Sequence, residues 1–165
     1  MGLSLEIERK FLVCSLDFLK SATSHIKMRQ GYLSTDPNRV VRLRLSTSLD
    51  DSVLKAYLTI KGPSRHHGLA RLEWEKEVEP EQAEGLFDLC LPNLIEKTRY
   101  LVPYQGFVFE VDLFEGANKG LIVAEIELDS EAQTFHVPNW VDCEVTDQVK
   151  YYNMNLLNRP FKDWA

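Results

Sequence analysis

Charged residues recur two apart along six segments of this 165-residue chain. Glu6-Ile7-Glu8 continues through Arg9 to Lys10. Arg42-Leu43-Arg44 follows, then Glu73-Trp74-Glu75 (extended by Glu77), Lys97-Thr98-Arg99, Glu110-Val111-Asp112 and Glu125-Ile126-Glu127. Lys61 closes a further alternating run, and Lys150 lies near the C-terminus. In a β-strand, residues i and i+2 project from one face, roughly 6.6 Å apart. Each segment therefore presents one charged and one largely apolar face. A solvated sheet face explains any single segment. It explains the set less well, because four segments carry carboxylate pairs and two carry cation pairs, with little Ser, Thr or Gln between. Like charges crowded on one face repel unless something bound resolves the repulsion.

Paired carboxylates on facing strands make an all-oxygen site for a hard divalent cation such as Mg²⁺ or Mn²⁺. Paired Lys and Arg make a charge-assisted cradle for phosphoryl oxygens. A polyphosphate offers oxygens to both, so the faces point to a metal–polyphosphate complex. They also imply an inverted barrel, with charge inside and the apolar face outside under helices. Other chemistries are poorly supported. Gly62-Pro63-Ser64-Arg65-His66-His67-Gly68 lacks the Gly-Lys-Ser/Thr ending of a P-loop. No Gly-x-Ser-x-Gly elbow occurs, and His25 and His136 stand alone.

The elements that must position these residues are mostly strands of period two separated by short turns. Strands are expected at Leu3–Val13, Ile26–Leu33, Val40–Ser46, Val53–Lys61, Leu69–Glu79, Ile95–Pro103, Phe107–Phe114 and Leu121–Leu128. Turns are expected at Thr35–Asn38 and Leu49–Ser52. Pro80 suits the first position of a helix reaching about Leu89. Shorter helices are expected within Cys14–Ala22, at Ser130–Phe135, and at Asp147–Asn153 with Thr146 as cap. Trp74, opposite Glu73 and Glu75, should pack beneath a helix. The class is α+β, mainly antiparallel β, and closing eight strands into a barrel would remove exposed edges.

Glu6-Ile7-Glu8-Arg9-Lys10 resembles the E-x-E-x-K signature of the CYTH, or triphosphate tunnel metalloenzyme, superfamily. The later pairs fall in that family's order: R-x-R, K, E-x-E, K-x-R, E-x-D, E-x-E and a cation on a C-terminal helix. Arg29-Gln30-Gly31-Tyr32-Leu33, Glu96-Lys97-Thr98-Arg99-Tyr100 and Glu144-Val145-Thr146 are similar to strings of its short bacterial members. The resemblance covers nearly the whole chain, read as one domain over residues 1–165. It implies a closed eight-stranded tunnel that binds triphosphates with Mg²⁺ or Mn²⁺. Carried over, Glu6, Glu8, Glu125 and Glu127 resemble the metal-side carboxylates, with Asp112 nearby. Lys10, Arg42, Arg44, Lys61, Lys97, Arg99 and Lys150 resemble the phosphate-gripping cations. Glu73, Glu75 and Glu110 would bind a second metal or position the attacking water, and Tyr32 matches a tyrosine proposed as proton acceptor. Lys150 departs from the family's usual Arg and loses its two-pronged grip.

The implied activity is hydrolysis of inorganic triphosphate to diphosphate and phosphate. Adenylate cyclase, thiamine triphosphatase and a non-catalytic polyphosphate-binding module are the alternatives on the same residues. No inserted segment builds a base-binding pocket, which favours the small inorganic substrate. The charged faces argue against a lipocalin-like carrier of apolar ligands. A formal net charge of −6 disfavours nucleic acid and membrane surfaces as partners. No apolar run approaches the roughly 20 residues of a membrane helix. Three cysteines without paired spacing and a charged N-terminus point to a reduced, cytoplasmic protein. An apolar outer wall would be compatible with a homodimer.

Overall fold

Alternating charge and hydrocarbon produces the expected antiparallel strands. The computed structural model describes residues 3–48, 50 and 52–164. The expected turn at Leu49–Ser52 therefore lies partly outside the described residues. The strands are β1 (Ser4–Val13), β2 (Ser24–Ser34), β3 (Val40–Thr47), β4 (Val53–Arg65), β5 (Ala70–Val78), β6 (Ile95–Tyr104), β7 (Phe107–Phe114), β8 (Ile122–Glu127) and a short β9 (Val141–Glu144). They run in the order β5-β4-β3-β2-β6-β7-β8-β1-β9. The first half of β1 also pairs with β5, from Ser4↔Glu73 to Ile7↔Ala70, and this closes eight strands into a barrel. β9, which the sequence reading does not anticipate, pairs Glu144 with Phe11 and Val141 with Val13, beside the other half of β1.

Because the charged residues point inward, much of the hydrocarbon must be buried on the outer wall. Ile7, Phe11, Phe109, Val111 and Ile126 form one cluster with Phe18 and Trp140. Leu43, Leu45 and Ala56 form another beneath Ala83 of helix α1 (Pro80–Phe87), with Pro80 in its first turn as expected. Trp74 is not part of it: α1 covers Val78, while Trp74 lies half-buried opposite the exposed Ile60. Gly31 makes room for the chain after α1, since a Cβ there would lie 2.8 Å from Cys90 Sγ.

The third cluster departs from a simple inside-out barrel. Tyr32, Val40, Ile95, Phe114 and Val123 lie on the inward faces of their strands, at one end of the barrel. Tyr151, Met154, Leu156 and Leu157 pack onto them and stopper that end with hydrocarbon. Two expected helices are absent for related reasons. Residues 147–153 form a 3-10 turn (Val149–Tyr151) leading into α2 (Asn153–Leu156), because Thr146 Oγ1 accepts from Lys10 N at 3.0 Å and donates to Glu144 Oε1 at 2.7 Å instead of capping. Residues 130–135 are non-helical, and Phe135 spreads edge-on over Phe11, Phe107 and Phe109. The segment expected within Cys14–Ala22 is a 3-10 turn, Asp17–Lys20, seating the fully buried Phe18. Among the described residues, no helix is long and apolar enough to cross a membrane.

Gly68 joins the stopper to the barrel. It has φ +86°, and a Cβ there would lie 2.4 Å from the Tyr152 hydroxyl and 2.7 Å from the Thr146 carbonyl. Replacing Gly68 with Ala should lower stability by about 1–3 kcal/mol, since strain and a backbone clash coincide. Denaturant unfolding checks this, with no loss expected for Gly85→Ala, a position within helix α1 that has open space and ordinary helical backbone.

Candidate active site

The barrel encloses a cavity of about 610 Å³. Its lining includes Glu6, Glu8, Lys10, Tyr32, Arg42, Arg44, Lys61, Glu73, Glu75, Arg99, Glu110, Glu125 and Glu127. Strand register brings these together. Lys10 lies opposite Glu125, Glu8 opposite Glu127, Lys61 opposite Glu73, and Glu110 opposite Glu125. The cations are matched internally. Lys10 Nζ is 2.8 Å from Glu125 Oε1. Lys61 Nζ is 2.7 Å from Glu6 Oε2 and 2.9 Å from Glu73 Oε2. Glu75 stands between Arg42 and Arg44 at 3.7 and 3.5 Å, and accepts from the Thr59 hydroxyl at 2.7 Å. This lattice is what permits so much charge to leave water, because an unpaired buried ion is far costlier than a matched one.

The match is incomplete at particular atoms. The Nε of Arg42 and the Nε of Arg44 are buried donors without an acceptor among the described residues. So is Gln30 Nε2, on the strand position opposite Arg44. Buried donors of this kind nearly always have a partner, so the two on Arg42 and Arg44, whose side chains line the cavity, mark a place for an oxygen-rich guest.

Some expected site residues are placed differently. Asp112 is 1% exposed and is gripped by Arg99 through both guanidinium arms, at 2.7 and 2.8 Å, and by Lys97 Nζ. Burial works to raise its pKa, but the Arg99 and Lys97 charges outweigh it and hold the carboxyl below its ordinary value. Neither Asp112 nor Lys97 lines the cavity. Their role is to fix Arg99, and burial pulls Lys97 down to about 8 even beside Asp112. Lys150 is a correction. It is exposed, and its Nζ lies 4.9 Å from the ring centroids of both Tyr151 and Trp164, outside the cavity. The expected C-terminal helix does not form there, so nothing turns this side chain inward. Tyr32 does line the cavity, but burial raises its hydroxyl pKa against the pull of Arg42, Lys61 and Lys10. It can donate a hydrogen bond; it is not a base near neutral pH.

The donor set suits a hard cation, since it is all carboxylate oxygen. Glu8 is the clearest case. Burial, with the charges of Glu125 and Glu6 beside it, pushes its carboxyl up to about 8. An acid so crowded has a strong reason to exchange its proton for a divalent ion. Among the described residues no three carboxylates yet converge as a preformed cage, because Lys10 and Lys61 occupy Glu125, Glu6 and Glu73. The sequence reading also missed lining residues. Arg71 shares its strand face with Glu73 and Glu75, so the same period-two rule would have found it. Asn153, which opens the one-turn α2 and donates to Gln30 Oε1 at 3.1 Å, and Gln133, from an irregular segment, left no period-two signal.

The model of the CYTH domain matches residues 4–155. The chain is 42% identical over 160 residues to a protein of Acetivibrio thermocellus named inorganic triphosphatase, covering 96% of this chain and 97% of that one. It is 37% identical over 155 residues to an inorganic triphosphatase of Nitrosomonas europaea, covering 92% and 95%. A crystal structure of an inorganic triphosphatase superposes with a TM-score of 0.64 at 33% identity, over 92% of this chain and 93% of that one.

Glu8 also sets an expected pH response. Its folded pKa of about 8 lies above the ordinary 4.5, so the folded protein binds a proton that the unfolded chain has released. Its stabilising contribution is full below about pH 4.5 and is lost as pH rises toward 8 and above. In the presence of chelator, Glu8→Gln should therefore flatten the fall in melting temperature between pH 5 and 8. An unchanged slope would reject the assignment.

Proposed function

The chain belongs to the CYTH domain family, and on that premise we propose that it hydrolyses inorganic triphosphate to diphosphate and phosphate inside the charged lumen. The observation that carries this reading is the pair of arginine donors, Arg42 Nε and Arg44 Nε, left without an acceptor among the described residues on side chains that line the cavity with Lys10 and Lys61. A phosphoryl group supplies anionic oxygens in pairs that the planar guanidinium fork fits. Glu8 and Glu127, joined by Glu125 and Glu6, would hold Mg²⁺ or Mn²⁺. When bound, the ion supplies charge neutralisation at the phosphoryl oxygens and a more acidic water.

The remaining work falls to the chain's own residues. Lys10 and Lys61 move from carboxylate to phosphoryl oxygens and neutralise the charge that gathers on the leaving diphosphate. Arg42 and Arg44 orient the phosphate chain, with Glu75 and Thr59 holding their planes. Arg99, locked by Asp112, presents a fixed positive charge to the same space. Burial raises the Glu110 carboxyl despite Arg99, which suits it to take a proton from the attacking water. Tyr32 contributes a hydroxyl donor.

A second reading, an organic triphosphate, has one observation in its favour. A side chamber of about 340 Å³ adjoins Arg44, Arg99 and Glu110 and is walled by Ile26, Met28 and Leu101. A substituent on the phosphate chain could rest there. We place the protein in the cytoplasm, where its free thiols Cys14, Cys90 and Cys143 would stay reduced.

Purified protein with Mg²⁺ or Mn²⁺ should release phosphate from tripolyphosphate faster than from ATP or thiamine triphosphate. Glu8→Ala and Arg42→Ala should each lower kcat/KM by about a hundredfold or more. Lys150→Ala should stay within about twofold, because that side chain lies outside the cavity. Full turnover in both of the first two variants would reject the site, and cyclic AMP formed from ATP would favour a cyclase.

A further inference from the structure

Arg71 differs from the other lumen cations. Its side chain lines the cavity, on the inward face of β5. Its strand neighbours are Glu6 on one side and Ser64 on the other. Lys10, Lys61, Arg42, Arg44 and Arg99 each lie within 4.0 Å of a carboxylate. Among the described residues, Arg71 does not. Its guanidinium instead donates twice to one neutral acceptor, the Gly62 carbonyl, from Nε at 3.2 Å and Nη2 at 2.7 Å. That carbonyl is presented by the irregularity of β4 between Lys61 and Ser64, where the pairing register shifts.

The consequence follows from partner exchange. For Lys10 or Lys61 to reach an anion, an ion pair must first be broken. For Arg71 the acceptor given up is a neutral carbonyl, and an anionic phosphoryl oxygen is the stronger acceptor for a guanidinium because both partners then carry charge. The planar fork already engages a single oxygen with two N–H groups, the geometry that phosphate oxygens also accept. Among the described residues, Arg71 is thus the lumen cation with no carboxylate within 4.0 Å before any ligand arrives. We propose that Arg71 is an additional phosphate-binding residue, which takes the incoming triphosphate first by swinging from the Gly62 carbonyl onto a phosphoryl oxygen.

This rests on the triphosphatase reading, and the test separates the two. Wild type, Arg71→Gln and Arg71→Lys are assayed on tripolyphosphate across a salt series. Arg71→Gln should raise KM about tenfold or more, the scale of one charge-assisted hydrogen bond, with kcat within about twofold. Its kcat/KM should also depend less steeply on salt, since a steering charge is gone. Arg71→Lys keeps the charge and should recover most of KM. In chelator, tripolyphosphate should raise the melting temperature of wild type more than that of Arg71→Gln. Unchanged KM and salt slope in Arg71→Gln, with wild type active, would overturn this inference alone. Equal impairment of both variants, with matching losses of melting temperature, would assign Arg71 to pinning the Gly62 bulge and overturn it as well. A wild type that neither binds nor hydrolyses tripolyphosphate would overturn both readings.

Discussion

Charge removed from water must be matched, and this barrel removes a great deal of it. Lys10, Arg42, Arg44, Lys61 and Arg99 share one cavity with Glu6, Glu8, Glu73, Glu75, Glu110 and Glu125. Taking any one of these ions out of solvent alone costs several kcal/mol. The register of the sheet supplies the remedy by setting opposite charges side by side, as at Lys10↔Glu125 and Lys61↔Glu73. A one-residue slip of any strand would carry its charges outside and its hydrocarbon inside. The lattice of ion pairs therefore specifies the register as much as the register builds the lattice. The Asp112 pair of cations is the anchor: Asp112 is dry, and it orients Arg99 without meeting the cavity itself.

An interior reserved for ions forces the hydrophobic core elsewhere. Two of the three apolar clusters lie on the outer wall, and each needs a cover. Helix α1 covers one, and the aromatic residues Phe18, Phe135 and Trp140 cover the other. The third cluster fills one end of the barrel, where inward positions change from ionic to apolar along the same strand faces: Lys97 to Ile95, Asp112 to Phe114, Glu125 to Val123. The C-terminal segment is the stopper for that end. It also brings Tyr152, Asn153 and Met154 to the cavity, so packing and site formation share one piece of chain.

Period-two patterning made the eight barrel strands and most of the lumen legible, because both depend on the same alternation. Glu6, Glu8, Arg42, Arg44, Glu73 and Glu75 could be placed on one surface from spacing alone. What failed was non-periodic. Lys150 resembles the family's C-terminal phosphate-gripping cation by its place in the sequence, but its orientation depends on how residues 145–157 pack, and local sequence does not encode that. Thr146 reads as a helix cap, yet its hydroxyl is claimed by the Lys10 backbone and Glu144. Asp112 reads as one more free carboxylate of an E-x-D pair. Only the three-dimensional proximity of both Lys97 and Arg99 converts it into a fixed counter-ion. β9 is four residues long and exists because half of β1 has an edge left unpaired after β5 and β8 are placed.

The same matching constrains how guests can enter. A triphosphate that draws Lys10 or Lys61 to itself strips Glu125, Glu6 or Glu73 of its counter-charge, beside a Glu8 that already holds its proton up to about pH 8. Stripped carboxylates at that density are tolerable only if another cation replaces the lysine. A divalent ion arriving alone meets the opposite difficulty, since it must displace ammonium groups that have nowhere favourable to go. On the proposed reading each guest would therefore ease the entry of the other, and linkage requires that such assistance be reciprocal. An inwardly neutralised lumen would in this sense take either ion weakly alone and the pair more tightly. The mixed-sign patterning of the strands is the sequence-level expression of that requirement.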